Sequence, residues 1–250
     1  MAVILRTHGG LGNQLFQVLY GRLLAEQAGS DLWEIHDARY RHGFARSAEL
    51  RRAVHPPTSL QRAVSALRLP KLMQRSLGMP ERPLGVFGDI YLDGYFQDAT
   101  AYAGFAPAVL QRHLRQLADE LGIRPAHVDR SLVHLRLGDF FASRDDARRH
   151  VEQRLATMPA DAAVMTNDEA LLGEPAIAAM LAARGCELVS TAGFAAEAVL
   201  RTMSAYRRFD ANDSTMIFWA SVLGGGEVAL RHAGLRATQE LFAAALRPTA

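Results

Sequence analysis

Strand and helix signals alternate along most of the chain, and this alternation limits the fold more than any other feature of the sequence. Short apolar or β-branched runs at 131–135 and 162–166 are each followed by residues with helical apolar spacing, at 150–157 and 175–184. Strands that are separated by helices pair in parallel, and the helices then cover the faces of the sheet. The sequence therefore predicts the α/β class.

Two such strand–helix regions are separated by a stretch rich in proline. Five prolines lie between residues 56 and 83, with two short amphipathic pieces at 59–69 and 71–77 between them. A short strand is predicted at 86–92, and a helix predicted at 109–121 is stopped by Gly122. We therefore predict two domains, 1–122 and 123–250, with an irregular helical insertion at about 50–85.

A glycine-rich turn joins the first predicted strand, 2–6, to the first predicted helix, 13–28, and reads HGGLGNQLFQ at 8–17. Such a turn lets backbone amides approach a phosphate or a sugar, so Gly10, Gly12 and Asn13 are candidate binding residues. The turn is not the dinucleotide fingerprint, because Leu15 stands where the third glycine would be. No Gly-Lys-Ser/Thr of a P-loop occurs in the chain. A tight turn without a ligand remains the alternative.

His134 and Arg136 lie at the end of a predicted strand, within HLRLGD at 134–139. If the extended register continues, both side chains point to one side of the sheet, and Val133, Leu135 and Leu137 point to the other. A guanidinium at a strand end can bind a diphosphate with two parallel hydrogen bonds. The alternative is that Arg136 forms a structural ion pair with Asp139.

Asp168 follows another predicted strand, and Ser214 and Thr215 precede an apolar helix at 214–223. Asp168 can accept a hydrogen bond from a ribose hydroxyl or a purine N–H, or it can simply close a turn. Ser214 and Thr215 can donate hydroxyls to a phosphate at a helix N-terminus, or they can cap the helix without any ligand.

Five segments in order, rather than any one of them, carry a resemblance to a known family. They are GGLGNQ (9–14), GYFQ (94–97), HLRLGD (134–139), TND (166–168) and STMIFW (214–219). In this order they resemble the glycosyltransferase family of bacterial and animal α-1,2-fucosyltransferases. The resemblance implies a GT-B fold, in which two Rossmann-like domains face each other across a cleft. It also implies an acceptor-side N-terminal domain and a C-terminal domain that binds the GDP-sugar.

The implied activity is inverting transfer of L-fucose from GDP-β-L-fucose to a sugar hydroxyl, in an α-1,2-type linkage, during bacterial glycan assembly. The implied acceptor is an oligosaccharide or a lipid-linked glycan. The resemblance implies no metal ion, and the chain has no Asp-x-Asp triplet to hold one. Arg136 is then the catalytic cation at the diphosphate, and Asp139 is the first candidate for the base, with Asp145 or Asp146 second.

Four features depart from the family pattern. Leu137 stands where the family has a second arginine, and Asn167 stands where it has the first of two aspartates. Asp213 stands where the family commonly has asparagine, and the stretch after Asp139 is short. Two alternatives therefore stay open, namely a transferase for another GDP-sugar and a shortened homologue that binds nucleotide sugar or glycan without transfer.

Charge and hydropathy indicate the compartment and the partners. A formal net charge of +2 is too small to indicate nucleic-acid binding, because proteins that bind nucleic acid usually carry a concentrated basic stripe. The longest mainly apolar stretch, 216–223, is shorter than the ~20 residues of a membrane span. We expect a cytoplasmic protein, because Arg6 interrupts the N-terminal apolar run before a signal-peptide core forms.

The segment 46–75 is the most basic part of the chain, with seven positive charges and one negative, Glu49. The positive residues are Arg46, Arg51, Arg52, Arg62, Arg68, Lys71 and Arg75. The segment is either a solvated helical face or a peripheral contact with anionic headgroups of the inner membrane.

Overall fold

The computed structural model describes residues 1–37, 47, 50, 57–67, 83–86, 88–137, 141–211 and 214–247. Its strands are β1 (Ala2–Thr7), β2 (Asp31–His36), β3 (Leu84–Val86), β4 (Asp89–Leu92), β5 (Val128–Leu135), β6 (Ala163–Thr166), β7 (Glu187–Leu188), β8 (Tyr206–Ala211) and β9 (Glu227–Val228). Its α-helices are α1 (Leu11–Gln27), α2 (Ser59–Ala66), α3 (Pro107–Glu120), α4 (Arg144–Thr157), α5 (Glu169–Leu172), α6 (Pro175–Ala183), α7 (Ala196–Ser204), α8 (Thr215–Gly224) and α9 (Ala233–Leu246). A short 3₁₀ turn covers Ala99–Ala101.

The chain forms two compact units, each with its own sheet. Unit 1 comprises residues 1–122 and 233–250, and unit 2 comprises residues 123–232. Both sheets are built mainly from parallel strands with helices between them, which confirms the α/β class and is compatible with Rossmann-like units. Among the described residues, no helix is both long and apolar enough to cross a bilayer.

The sheet of unit 1 has the order β2-β1-β4-β3, with β1 parallel to both neighbours and β3 antiparallel to β4. Alternate residues of β1 cover its two faces. A Cβ added to Gly21 of α1 would lie 3.2 Å from Leu5, so α1 packs closely on one face. Ala2 and Ile4 point to the other face and pack with Val64 of α2. Both faces of this sheet are therefore covered.

The sheet of unit 2 is parallel throughout, in the order β7-β6-β5-β8-β9. On one face Val133, Leu135 and Leu137 are fully buried against helices α4 and α6. This confirms the predicted alternation for these three residues, because the residues between them, His134 and Arg136, are half-buried and exposed.

Two parts of unit 1 differ from the sequence prediction. The strand β2 was not predicted, and the run predicted as one strand at 86–92 belongs to an antiparallel pair, β3 and β4. Gly88, between them, has φ +82°, a left-handed conformation that glycine adopts without strain. Of the predicted helical insertion, 59–66 is confirmed as α2, whereas 68–82 lies outside the described residues.

The last helix packs within unit 1, although the sequence places residues 233–247 in the second domain. The ring of Phe242 is fully buried and lies 4.8 Å from that of Tyr102. The Thr238 hydroxyl donates to the carbonyl of Gln97 at 2.7 Å, and the Gln111 amide donates to the carbonyl of Ala245 at 2.7 Å. Burial of Phe242 explains why this helix belongs with the first sheet.

Candidate functional site

In each sheet the chain adds strands first on one side of the unit's first strand and then on its other side. The switch point, where the side changes, lies between β1 and β4 in unit 1 and between β5 and β8 in unit 2. Open parallel sheets bind ligands at such a switch point, outside the carboxyl ends of the strands. Motif residues begin one to three residues after the ends of these strands: 8–17 and 94–97 in unit 1, and 136 onward and 214–219 in unit 2.

The first glycine of the glycine-rich turn in unit 1, Gly9, adopts a left-handed backbone conformation. Gly9 has φ +79°, and a Cβ there would lie 2.9 Å from Nδ2 of Asn13, so this position requires glycine. Gly10 is the residue before α1, and its carbonyl accepts from the amides of Asn13 and Gln14 at 2.9 and 3.1 Å. Gly12 is buried within the first turn of α1.

Two buried glutamines fix this turn from within. Gln17 accepts a hydrogen bond from the amide of His8 at 3.0 Å and donates to the carbonyl of Gly94 at 3.1 Å. Gln14 donates to the carbonyl of Gly9 at 2.8 Å and accepts from the amide of Ser47 at 3.0 Å. The polar pattern of 8–17 thus fixes the backbone of the turn, in addition to anything it binds.

The segments 8–17 and 94–97 meet in one cluster. The Gln97 amide donates to Oδ1 of Asn13 at 2.9 Å, and the rings of His8 and Tyr95 are 4.9 Å apart. Asn13 and Gln97 are half-buried, so they reach both the protein and the solvent. Asp93, which precedes this segment at the end of β4, is only 3% exposed. Neither Gln97 nor Asp93 was predicted from the sequence as a site residue.

In unit 2 the ends of β5 and β6 are tied together beside Arg136. Oδ1 of Asn167 accepts from the backbone amide of Leu137 at 2.7 Å, and Arg136, which is exposed, immediately precedes that amide. Asn167 therefore holds the backbone next to Arg136. It was not among the predicted site residues, and its position at the end of a strand was the signal available in the sequence.

Asp168, Ser214 and Thr215 are half-buried residues at helix starts. Oδ1 of Asp168 accepts from the amide of Leu171 at 3.1 Å, so this carboxylate caps α5. Oγ of Ser214 accepts from the amide of Met216 at 3.3 Å and caps α8, of which Thr215 is the first residue. Asp168 and Ser214 therefore both cap helices, which is the alternative that needs no ligand. The Ser214 hydroxyl proton can still be donated outward.

His134 and Arg136 lie together at the carboxyl end of β5. Burial, and then the charge of Arg136, lower the pKa of His134 from 6.5 to about 4. His134 is therefore neutral at pH 7 and can both donate and accept a hydrogen bond. Positive charge on this part of β5 comes from Arg136 instead.

We expect the low pKa of His134 to make unfolding sensitive to acid. The unfolded chain binds a proton at about pH 6.5 and the folded chain only near pH 4, so the free energy of unfolding falls across this window. Between about pH 7.5 and about pH 5, the free energy of unfolding should fall by about 1–2 kcal/mol more for the native protein than for His134→Gln. Urea unfolding at the two pH values measures this difference. Equal losses for both proteins would contradict the pKa direction.

The structure describes two of the three candidate bases, Asp145 and Asp146. Asp139 lies outside the described residues. Asp145 and Asp146 lie in the first turn of α4, and the Ser143 hydroxyl, followed by Arg149, lowers the pKa of Asp146. A lowered pKa makes a carboxylate a weaker base, so Asp146 is less suited to this role than the sequence suggests.

A separate open groove of about 580 Å³ lies at the opposite edge of the unit 2 sheet, where β5, β8 and β9 begin. Arg207 and Arg208 line it, but they donate to the carbonyls of Ala126 and Asp129 at 3.3 and 2.6 Å. Asp129 and Glu227 balance their charge. No motif segment lies at this groove, and it is the amino rather than the carboxyl end of the strands.

Among the described residues, no cluster of three or more His, Cys, Asp or Glu side chains is arranged to hold a metal ion. Comparison of the chain with protein-family models, with curated proteins and with solved structures finds no match. Any functional conclusion therefore depends on the motifs and on where the two sheets place them.

Proposed function

We propose that this protein is a GDP-sugar-dependent inverting glycosyltransferase of the GT-B type, with unit 2 binding the donor and unit 1 the acceptor. The reaction is transfer of L-fucose from GDP-β-L-fucose to a sugar hydroxyl, in an α-1,2-type linkage, by a metal-independent fucosyltransferase. One observation carries the proposal. Motif segments that resemble those of α-1,2-fucosyltransferases follow the strands beside the switch point of each sheet.

Unit 2 supplies groups that suit a nucleoside diphosphate. In the proposed reaction the acceptor oxygen attacks C1 of the sugar, the bond from C1 to the GDP oxygen breaks, and negative charge develops on the diphosphate. Arg136 and the N-terminus of α8 stabilise that charge, since guanidinium and helix N-terminal amides both bind phosphate. The proton of the acceptor hydroxyl goes to a carboxylate, for which Asp139 remains the candidate.

Unit 1 supplies groups that suit a carbohydrate. The half-buried amides of Asn13 and Gln97 bond to each other at 2.9 Å and keep further donors and acceptors. The ring of Tyr95 lies in the same cluster. These residues are proposed to contact an oligosaccharide or lipid-linked glycan acceptor.

A second candidate is a homologue that binds the nucleotide sugar and does not transfer it. The observation that favours it is the buried side chain of Leu137, 0% exposed, at the position where the related family has a second arginine. With one cation fewer, the departing diphosphate is stabilised less.

A donor screen on the full chain separates these functions. Thermal unfolding is measured with GDP-fucose, GDP-mannose and UDP-sugars, because a ligand that binds only the native state raises the melting temperature. We expect a shift with GDP-fucose, GDP release from it, and faster release when a glycan acceptor is added. A shift without release indicates the binding homologue, and a larger shift with GDP-mannose indicates another donor. A shift with UDP-sugars alone would reject the proposal.

Activity is expected to survive removal of divalent cations. The charge that develops on GDP is assigned to Arg136 and α8, so transfer in excess EDTA should equal transfer in the untreated sample. Loss of activity in EDTA that is restored by Mn²⁺ or Mg²⁺ would contradict this assignment.

A further inference from the structure

Helix α2 exposes a row of apolar side chains to solvent. Leu60 and Leu67 are 62% and 64% exposed, and they are seven residues apart, so they lie on the same side of the helix. Ala63 is also exposed on this side. We call Leu60, Ala63 and Leu67 the apolar face of α2. Two of its members are among the five large hydrophobic side chains that are exposed in the described part of the chain.

The opposite side of α2 is fixed to the sheet. Val64 packs against β1, the Gln61 amide donates to Oδ2 of Asp89 at 2.7 Å, and Arg6 donates to the carbonyl of Ser65 at 3.0 Å. Thr58 and Gln61 form a reciprocal cap at its N-terminus. The apolar face is therefore presented by a preformed helix and not by a segment that must first be ordered.

The sequence around this face is strongly basic. Arg62 is exposed on α2. The sequence of residues 46–75 contains six further cations and one carboxylate, all of which lie outside the described residues. Phe194 provides a comparison, since it is 53% exposed in unit 2, but residues 185–200 contain two glutamates and no lysine or arginine. An apolar helix face within a basic stretch of sequence matches a surface with negative charge outside and hydrocarbon below, which is an anionic lipid bilayer.

We propose that α2 docks this protein on anionic membranes. Leu60 and Leu67 enter the boundary between headgroups and acyl chains, and Arg62 contacts lipid phosphates. The interaction is peripheral and is weakened by salt, because much of it is electrostatic. It does not depend on the proposed transferase function, so either can fail without the other.

Vesicle co-sedimentation of the full chain tests this proposal. One set of vesicles contains equal parts phosphatidylglycerol and phosphatidylcholine, and the other contains phosphatidylcholine alone. We expect binding to the anionic vesicles only, and its loss when the salt rises from about 20 mM to about 0.5 M. The double variant Leu60→Gln, Leu67→Gln should bind at least about tenfold more weakly. Arg62→Gln should bind about fivefold more weakly.

Two controls match these variants. Phe194→Gln removes an exposed apolar side chain from unit 2, and Arg149→Gln removes one exposed positive charge from unit 2. Both should bind the anionic vesicles as the native chain does. Because the substituted side chains are exposed, every variant should keep the native melting temperature, which is checked first.

Several results would overturn the proposal. They are equal binding to both vesicle types, no binding to either, and unchanged binding of the leucine variant. A concentration-dependent dimer that the leucine variant abolishes, seen by sedimentation velocity without any vesicle binding, would instead assign the apolar face to a second copy of the chain.

Discussion

Replacing Arg136 by lysine is expected to lower kcat/KM for transfer by at least about tenfold, or ~1.5 kcal/mol of transition-state stabilisation. Lysine keeps the charge but cannot donate two parallel hydrogen bonds to a diphosphate. Replacement by alanine also removes the charge, so the loss should reach about a hundredfold or more. Initial rates of fucose transfer measure both effects.

The matched control is Arg208→Lys, at the opposite edge of the same sheet, where the guanidinium donates to the carbonyl of Asp129. It changes the same side chain in the same unit and should leave kcat/KM unchanged. Native rates in a folded Arg136→Lys protein, or equal losses for both variants, would show that Arg136 does not bind the diphosphate.

Gly224→Ala is expected to destabilise the protein by about 2–4 kcal/mol. Gly224 ends α8, where alanine would ordinarily be favoured over glycine by about 1 kcal/mol. A Cβ at this position, however, would overlap the backbone oxygen of Ser204, the last residue of α7. Backbone atoms at a helix end move only if the two helices separate, so the contact outweighs the gain in helix propensity.

Two other glycines make this prediction specific. A Cβ on Gly21 would meet only flexible leucine side chains, at 3.1 and 3.2 Å, and a Cβ on Gly104 would meet nothing within 4 Å. Urea unfolding should therefore rank Gly224→Ala as most destabilised, Gly21→Ala next and Gly104→Ala near the native value. If Gly224→Ala were as stable as Gly104→Ala, the close packing of α7 and α8 would be wrong.

Much of the fold follows from local patterns in the sequence. Strands β1, β5 and β6 and helices α1 and α3 were predicted because their apolar spacing, glycines and prolines lie within a few residues of each other. The strand β2 was missed, since all of its residues but one are half-buried and that one is exposed, which leaves little alternation to detect. The position of α9 depends on where Phe242 is buried, which local patterns do not specify.

The candidate site, like the fold, was predicted only in part from the sequence. Parallel topology alone predicts that Arg136, Asp168 and Ser214 lie at one edge of a sheet, and the structure places them there. The contacts that shape the site join residues far apart in sequence, such as Asn13 with Gln97 and Leu137 with Asn167. Such pairs depend on the register between strands, so sequence spacing does not reveal them.

Hydrogen–deuterium exchange with and without GDP-fucose tests the central claim most directly, because it locates the donor on the chain. If the donor binds at the carboxyl ends of β5, β6 and β8, the amides of 134–137, 167–171 and 214–218 should exchange more slowly. The groove at the opposite edge, around Ala126, Arg207 and Gly225, should show no change. Protection at that groove, or bound GDP-fucose without protection in the three segments, would contradict this account.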